Sequence, residues 1–191
     1  MVARARRFVA NCGFAAAAID APGHGDRPRT AQDEQVPAYI KEGIAAGQAV
    51  GPEIARYNAE LAVRAVPEWH TILDALQELA LIGTRSHVGY WGISLGSATG
   101  VPYAASEPRI DAAVFGLAGD EALAEAAARV TIPVEFVLQW DDEIVPRGSA
   151  LALFDAFGSR EKSLHANPGP HAGVPRFEVE SSERFFARHL R

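Results

Sequence analysis

One serine stands in a sequence context that could make it a nucleophile. Residues 92–96 read Gly-Ile-Ser-Leu-Gly and follow directly on the apolar run 87–91. A serine on a sharp strand-to-helix turn has its hydroxyl lifted clear of the sheet, and the flanking glycines let strand and helix pass closely. The pattern predicts that Ser94 attacks an electrophilic carbon, while the backbone N–H of Leu95 and the helix dipole stabilise the developing negative charge.

A base for this serine, and an acid to orient the base, are available further along the chain. Asp141 and Asp142 follow the apolar run 134–140, and His171 lies in the proline- and glycine-rich turn 167–173 after the next apolar run. A histidine can accept the proton of a serine hydroxyl, and a carboxylate holds the imidazole in the required tautomer. One of the two aspartates could instead cap the following helix. The chain order of serine, acid and histidine predicts a Ser–His–Asp triad.

Short apolar runs alternate with helix-like patterns along the whole chain. The predicted strands are 14–19, 87–91, 112–117, 134–140 and 163–166. The predicted helices are 2–12, 57–79, 96–106, 121–130, 146–157 and 175–190. Continuous apolar runs are typical of strands buried on both faces of a parallel sheet. The alternation predicts one α/β domain over residues 1–191, a three-layer α/β/α sandwich of about five strands with a mostly parallel sheet.

This architecture also indicates where the polar residues meet. In an open parallel sheet the ligand crevice lies beyond the carboxyl ends of the strands, and Ser94, Asp142 and His171 each follow a different predicted strand. Residues 27–54 are too long for an ordinary connection, so we expect a loop-and-helix excursion over the active-site end of the sheet.

Composition excludes several classes of function. The 191 residues are 48% hydrophobic and carry a formal charge of −6 without a basic tract, which disfavours nucleic-acid binding. The single cysteine, Cys12, cannot form an internal disulfide or a zinc site of the Cys-x-x-Cys type. This cysteine usage favours a reducing, cytoplasmic location. The arginine-rich start resembles a signal peptide, but Asn11 and Gly13 interrupt its apolar stretch. Since no apolar run reaches the roughly 18–20 residues of a membrane span, we expect a soluble protein. Homo-oligomerisation is left open.

With these motifs the chain resembles the α/β-hydrolases, and in its spacing the compact dienelactone-hydrolase-like esterases. The resemblance rests on the Gly-Ile-Ser-Leu-Gly motif, an Asp-x-x-Gly-x-Gly pattern at 20–25 and an Asp-x-x-Val-Pro pattern at 142–146, which favours Asp142 over Asp141. Dienelactone hydrolases themselves use a cysteine nucleophile, so that particular activity is not implied. The resemblance implies hydrolysis of small carboxylic esters through an acyl-enzyme, without a metal or organic cofactor.

Two further residues are expected near the substrate. His24 lies in the glycine-rich turn 20–25, where it either lines the pocket or shapes the turn. Trp140 ends a predicted strand beside the proposed triad and is expected to line an acyl pocket.

The sequence departs from the family pattern at its beginning. The family has strands and a His-Gly type loop, which supplies a second oxyanion donor, before the helix that matches residues 2–12. Three arrangements follow: the natural protein is longer, residues 14–19 pair directly with 87–91 while the turn 23–25 donates N–H groups, or another chain covers the edge. For these residues we expect a five-stranded sheet with the gap closed or covered. A non-catalytic hydrolase-like module, and an acyltransferase or thioesterase using the same residues, remain alternatives to an esterase.

Overall fold

The structure is a computed structural model that describes residues 2–48 and 50–191. The helices are α1 (Val2–Arg7), continued by a π-helical turn (Phe8–Cys12), α2 (Ala31–Ala45), α3 (Gly51–Gln77), α4 (Leu95–Ser106), α5 (Ala124–Arg129), which follows a 3-10 turn (Glu121–Leu123), α6 (Arg147–Ala156) and α7 (Phe177–His189). The strands are β1 (Val88–Trp91), β2 (Ile110–Gly116), β3 (Val134–Gln139) and β4 (Lys162–Asn167). Within the described part of the chain, no helix is both long and apolar enough to cross a membrane.

The four strands form one parallel sheet in the order β1-β2-β3-β4. Neighbouring residues of a strand face opposite sides, and β2 is buried on both. Phe115 packs in a cluster with residues of α4, α5 and α6, whereas Val114 packs with Phe8 and with Phe186 of α7. Helices therefore cover both faces of the sheet, which confirms the predicted α/β/α architecture.

The first predicted strand, 14–19, is not a strand. These residues form neither helix nor strand, and the stretch 15–18 is exposed. Their direct pairing with 87–91, one of the three arrangements considered, is therefore not formed, and the expected five-stranded sheet is wrong: the described sheet has four strands. The reason is that a strand forms only where a neighbour offers backbone partners, and the short alanine side chains of this run contribute little packing of their own. Only its first residue, Phe14, packs against the core beside α7.

The excursion predicted for 27–54 is largely helical. It contains α2 and the start of α3, so the helix predicted for 57–79 begins six residues earlier. A reciprocal capping box between Thr30 and Asp33 begins α2. The buried Asp33 carboxylate then accepts hydrogen bonds from Arg64 (2.9 Å) and from the Tyr57 hydroxyl (3.0 Å) on α3. The Arg64 guanidinium holds the pKa of Asp33 well below its usual range, so a charged contact fastens α2 to α3.

The carboxyl end of α4 is held against α3 by a buried glutamate. Glu107 is 3% exposed and accepts hydrogen bonds from Arg109 Nε (2.7 Å) and from His70 Nδ1 (2.9 Å) of α3. The hydrogen-bonded Arg109 guanidinium is the main reason why the pKa of Glu107 falls to about 2. Because α4 begins at the proposed nucleophile, this contact fixes the far end of the helix that presents Ser94.

We expect Glu107→Gln to lower the free energy of unfolding at pH 7 by about 1–3 kcal/mol, since it removes a buried, charge-assisted acceptor. The folded-state pKa of Glu107 is depressed, so its contribution is complete above the pKa of an unfolded glutamate, near 4.3. That contribution is lost as the pH falls towards 2. Urea unfolding of both proteins between pH 7 and pH 2 should show a converging difference. Glu125→Gln is the control, because its side chain is 91% exposed; a difference independent of pH would contradict this reading.

Candidate active site

Ser94 lies on a strained turn between β1 and α4. Its backbone has φ 56° and ψ −120°, which costs a non-glycine residue about 1–3 kcal/mol. The Ser94 N–H donates to the carbonyl of Gly116 at the end of β2 (2.8 Å). Leu95 is the first residue of α4, so its N–H has no acceptor within the helix. The turn thus has the strand-to-helix geometry of a nucleophilic serine and lies at the N-terminus of α4.

A second serine, Ser97, stabilises this turn by hydrogen bonds. Ser97 is fully buried, and its hydroxyl lies 2.8 Å from the Gly92 carbonyl and 2.7 Å from the Gly116 carbonyl while it accepts the Gly116 N–H (2.8 Å). It therefore ties both sides of the Ser94 turn to the end of β2. The motif alone gives no signal for this role, because Ser97 acts through β2, which lies next to the turn only in the folded chain.

The two glycines of the motif, Gly92 and Gly96, differ in how much space surrounds them. A Cβ at Gly92 would lie 2.6 Å from the carbonyl oxygen of Gly96, so only glycine fits without moving the turn. A Cβ built at Gly96 meets no atom within 4 Å outside its own helix. Close passage of strand and helix therefore requires glycine at 92 but not at 96.

This asymmetry makes a testable prediction. Gly92→Ala should displace the Ser94 turn and lower ester turnover by at least about 10²-fold, the typical consequence of misplacing a reacting group by 1 Å. Gly96→Ala should keep activity and stabilise the protein by up to about 1 kcal/mol, because alanine favours a helix over glycine. Steady-state kinetics and thermal unfolding of the two variants would check this. Equal loss of activity in both would contradict it.

The structure places His171 within hydrogen-bonding distance of both Ser94 and Asp142. His171 Nε2 is 2.9 Å from Ser94 Oγ, and His171 Nδ1 is 2.8 Å from Asp142 Oδ2. The Asp142 side chain is 3% exposed and that of His171 is 14% exposed, so the line of contacts is largely shielded from water. Asp141, the other candidate acid, instead accepts the N–H of Gly169 (3.0 Å).

These contacts determine which imidazole nitrogen carries the proton. The Asp142 carboxylate can only accept, so His171 Nδ1 donates to it and Nε2 accepts the hydroxyl proton of Ser94. The other carboxylate oxygen, Oδ1, accepts the N–H groups of Ile144 and Val145, each at 2.8 Å. These bonds fix the orientation of the Asp142 carboxylate, which holds the neutral imidazole in the tautomer that a general base requires.

Hydrogen bonds from residues at the end of β3 hold the loop that carries His171. The His171 N–H donates to the Glu143 carboxylate (2.8 Å), which lowers the pKa of Glu143. The buried Gln139 amide donates towards the carbonyls of Pro168 (3.3 Å) and Pro170 (3.2 Å). Consecutive residues after β3 thus hold both the backbone and the side chain of His171. Sequence reasoning did not find Gln139 or Glu143, since their partners lie about 30 residues away.

The other predicted site residues lie as follows. His24 is half-buried and donates from Nδ1 to the Pro22 carbonyl of its own turn (3.0 Å). Trp140 is 48% exposed, and the Arg147 guanidinium stacks 4.1 Å from the centre of its ring. The contacts of His24 match a turn-shaping role, and a role in substrate binding stays a prediction for both residues.

A cavity of about 130 Å³ adjoins the nucleophile turn on the α7 side of the sheet. Ile93, which precedes Ser94, lines it together with Trp91, Val137 and Pro175, and Trp140 is not among its described lining residues. The guanidinium of Arg4 lies 3.6 Å over the Trp91 ring. Trp91 therefore borders a partly open cavity beside the Ser94 turn.

One group among the described residues has the side-chain types of a metal site. Glu135, His165 and Glu178 have potential ligand atoms within 4.8 Å of one another. Donors of the protein already occupy the carboxylates: His165 Nδ1 donates to Glu178 (2.7 Å), and Ser181 and Ser182 donate to Glu135 (3.0 and 3.1 Å). The group is therefore satisfied by its own hydrogen bonds.

Solved structures show what the chain is similar to. It is 33% identical to the polyethylene-glycol complex of a cold-adapted esterase from an Arctic intertidal metagenomic library, over 91% of this chain and 69% of the esterase, with a TM-score of 0.68. The chain belongs to the α/β-hydrolase esterases. The zinc-bound structure of the same esterase gives 35% identity over 68% of this α/β-hydrolase, with a TM-score of 0.64. The chain spans about 60% of the length of that structure.

A more distant similarity shows the fold alone. The esterase domain of a Rhodothermus marinus protein is 18% identical to this α/β-hydrolase, over 63% of the present chain and 68% of the domain, with a TM-score of 0.53. No protein-family model matches the sequence, and no curated protein matches it.

Proposed function

We propose that this α/β-hydrolase cleaves small carboxylic esters with Ser94 as nucleophile, His171 as general base and Asp142 as the residue that orients the base. The observation that carries the proposal is the unbroken line of hydrogen bonds from Asp142 Oδ2 through the imidazole to Ser94 Oγ, at 2.8 and 2.9 Å. The similarity to a solved esterase supports an ester rather than another acyl compound as substrate.

The reaction has two steps. Ser94 Oγ attacks the acyl carbon as its proton passes to His171 Nε2, and Asp142 stabilises the resulting imidazolium. The Leu95 N–H donates to the oxyanion of the tetrahedral intermediate. As the intermediate collapses, the alcohol leaves with the proton from Nε2 and Ser94 remains acylated. His171 then takes a proton from water, the hydroxide attacks the acyl-enzyme, and the carboxylic acid is released while Ser94 recovers its proton.

Four expectations from the sequence stay predictions. They are a closer relation to the dienelactone-hydrolase-like serine esterases, binding of the substrate by His24 and Trp140, a cytoplasmic location and homo-oligomerisation. The reaction as written consumes only ester and water, so it calls for no cofactor.

Hydrolysis of p-nitrophenyl acetate tests the proposal. We expect saturable release of p-nitrophenol with kcat in the usual enzymatic range of about 1–10³ s⁻¹. p-Nitrophenyl phosphate is the matched control, because it has the same leaving group without an acyl carbon, and it should not be cleaved. A folded protein that cleaves neither compound, or both equally, would contradict the proposal.

A further inference from the structure

A buried contact joins the two ends of the loop that carries His171. The loop, residues 168–176, leaves β4 at Asn167 and enters α7, whose first turn contains Glu178. The Asn167 side-chain amide donates to Glu178 Oε1 (2.9 Å), and the two residues are 6% and 5% exposed. His165, two residues earlier on the same face of β4, donates from Nδ1 to Glu178 Oε2 (2.7 Å). Both oxygens of Glu178 are therefore bound to β4 at the base of the loop.

A second contact fastens α7 to the sheet further along the helix. Glu135 of β3 is 3% exposed and accepts hydrogen bonds from the hydroxyls of Ser181 (3.0 Å) and Ser182 (3.1 Å). This contact holds the helix but does not span the loop. The two contacts approach each other at His165, whose Nε2 lies 3.8 Å from Glu135 Oε2. Their donors Asn167 and Ser181 are nevertheless different residues, so each donor can be replaced without the other, and an effect on the loop can be distinguished from an effect on the helix.

We propose that Asn167 and Glu178 are positioning residues for His171: their hydrogen bond closes the loop at its base and thereby sets the imidazole against Ser94. This inference rests on the proposed function of His171. A nine-residue connection has many conformations, and an error of about 1 Å in a catalytic group can cost 10²-fold in rate. A buried, fully satisfied network is the kind of support that holds such a group in place. Gln139 and Glu143 hold the middle of the loop, and Asn167 and Glu178 hold its ends.

The test compares Asn167→Ala with Ser181→Ala. Asn167→Ala removes the bond across the loop, and we expect kcat for p-nitrophenyl acetate to fall about 10–100-fold, with KM within about threefold of wild type. Labelling of Ser94 by a fluorophosphonate should slow by the same factor, because it needs the same base. Ser181→Ala removes a bond of α7 outside the loop, so it should lower the Tm but leave kcat within about twofold of wild type.

Hydrogen exchange of the loop amides gives a readout that does not depend on activity. Exchange in residues 169–176 should rise at least about tenfold in Asn167→Ala and stay unchanged in Ser181→Ala. If Asn167→Ala does not fold, Asn167→Leu, which keeps the branching at Cγ but cannot donate, should give the same two changes. Wild-type kcat and loop exchange in the Asn167 variants, or an equal loss of kcat in Ser181→Ala, would overturn the inference. A wild-type protein without turnover would refute the proposed function, whereas the exchange data would still decide whether Asn167 closes the loop.

Discussion

Replacing Ser94 by alanine is expected to lower kcat for p-nitrophenyl acetate by about 10⁵–10⁶-fold, the loss seen when a serine hydrolase is deprived of its nucleophile. The hydroxyl is the atom 2.9 Å from His171 Nε2, and no other described side chain occupies that place. Because alanine keeps the Cβ and the strained φ of 56°, the turn and the fold should be preserved.

Two measurements separate this effect from a loss of structure. Thermal unfolding of Ser94→Ala should remain within about 1 kcal/mol of wild type, as for most single substitutions outside the core. Ser86→Ala is the matched control and should keep wild-type kcat, since Ser86 is exposed and precedes β1, at the opposite end of that strand from Ser94. Retention of more than a few per cent of wild-type turnover in Ser94→Ala would exclude Ser94 as the nucleophile.

The second large effect is expected for Asp142→Asn, with kcat lower by about 10⁴-fold. Oδ1 of Asp142 accepts two backbone N–H groups, from Ile144 and Val145, so an asparagine would place its oxygen there and its NH₂ group against His171 Nδ1. Nδ1 would then have to accept, and the proton would move to Nε2. In that tautomer His171 cannot take the proton of Ser94.

Asp141→Asn is the control for this prediction. The Asp141 carboxylate accepts the N–H of Gly169, and an amide oxygen can still accept it. We expect less than a tenfold loss of kcat, because a neutral acceptor in place of a charged one weakens one exposed hydrogen bond by about 1 kcal/mol. A larger loss for Asp141→Asn than for Asp142→Asn would reverse the assignment of the acid.

Much of the fold follows from local patterns in the sequence. The apolar run that became β2 is predictable because a strand buried on both faces has no polar side to interrupt it. The turn at Ser94 is predictable because glycine is needed at position 92, where a Cβ would collide with the nearby carbonyl of Gly96. The meeting of Ser94, Asp142 and His171 follows from the parallel arrangement, which places the carboxyl ends of their strands at one edge.

The failures concern features that depend on distant neighbours. The run 14–19 is as apolar as a buried strand, yet strand formation requires a hydrogen-bonding partner, and composition does not report one. The support that Ser97 gives to the nucleophile turn depends on Gly116 of β2. Asn167 and Glu178 are ordinary polar residues in the sequence, and their contact exists only because β4 and α7 meet.

Covalent trapping is the sharpest test of the proposal that Ser94 is the activated nucleophile of this α/β-hydrolase. The wild-type protein would be treated with a fluorophosphonate, digested and mapped by mass spectrometry. We expect a single phosphonate adduct on Ser94, formed with loss of fluoride and absent when His171 is replaced by alanine. An adduct on another residue, or no adduct on a folded protein, would contradict it.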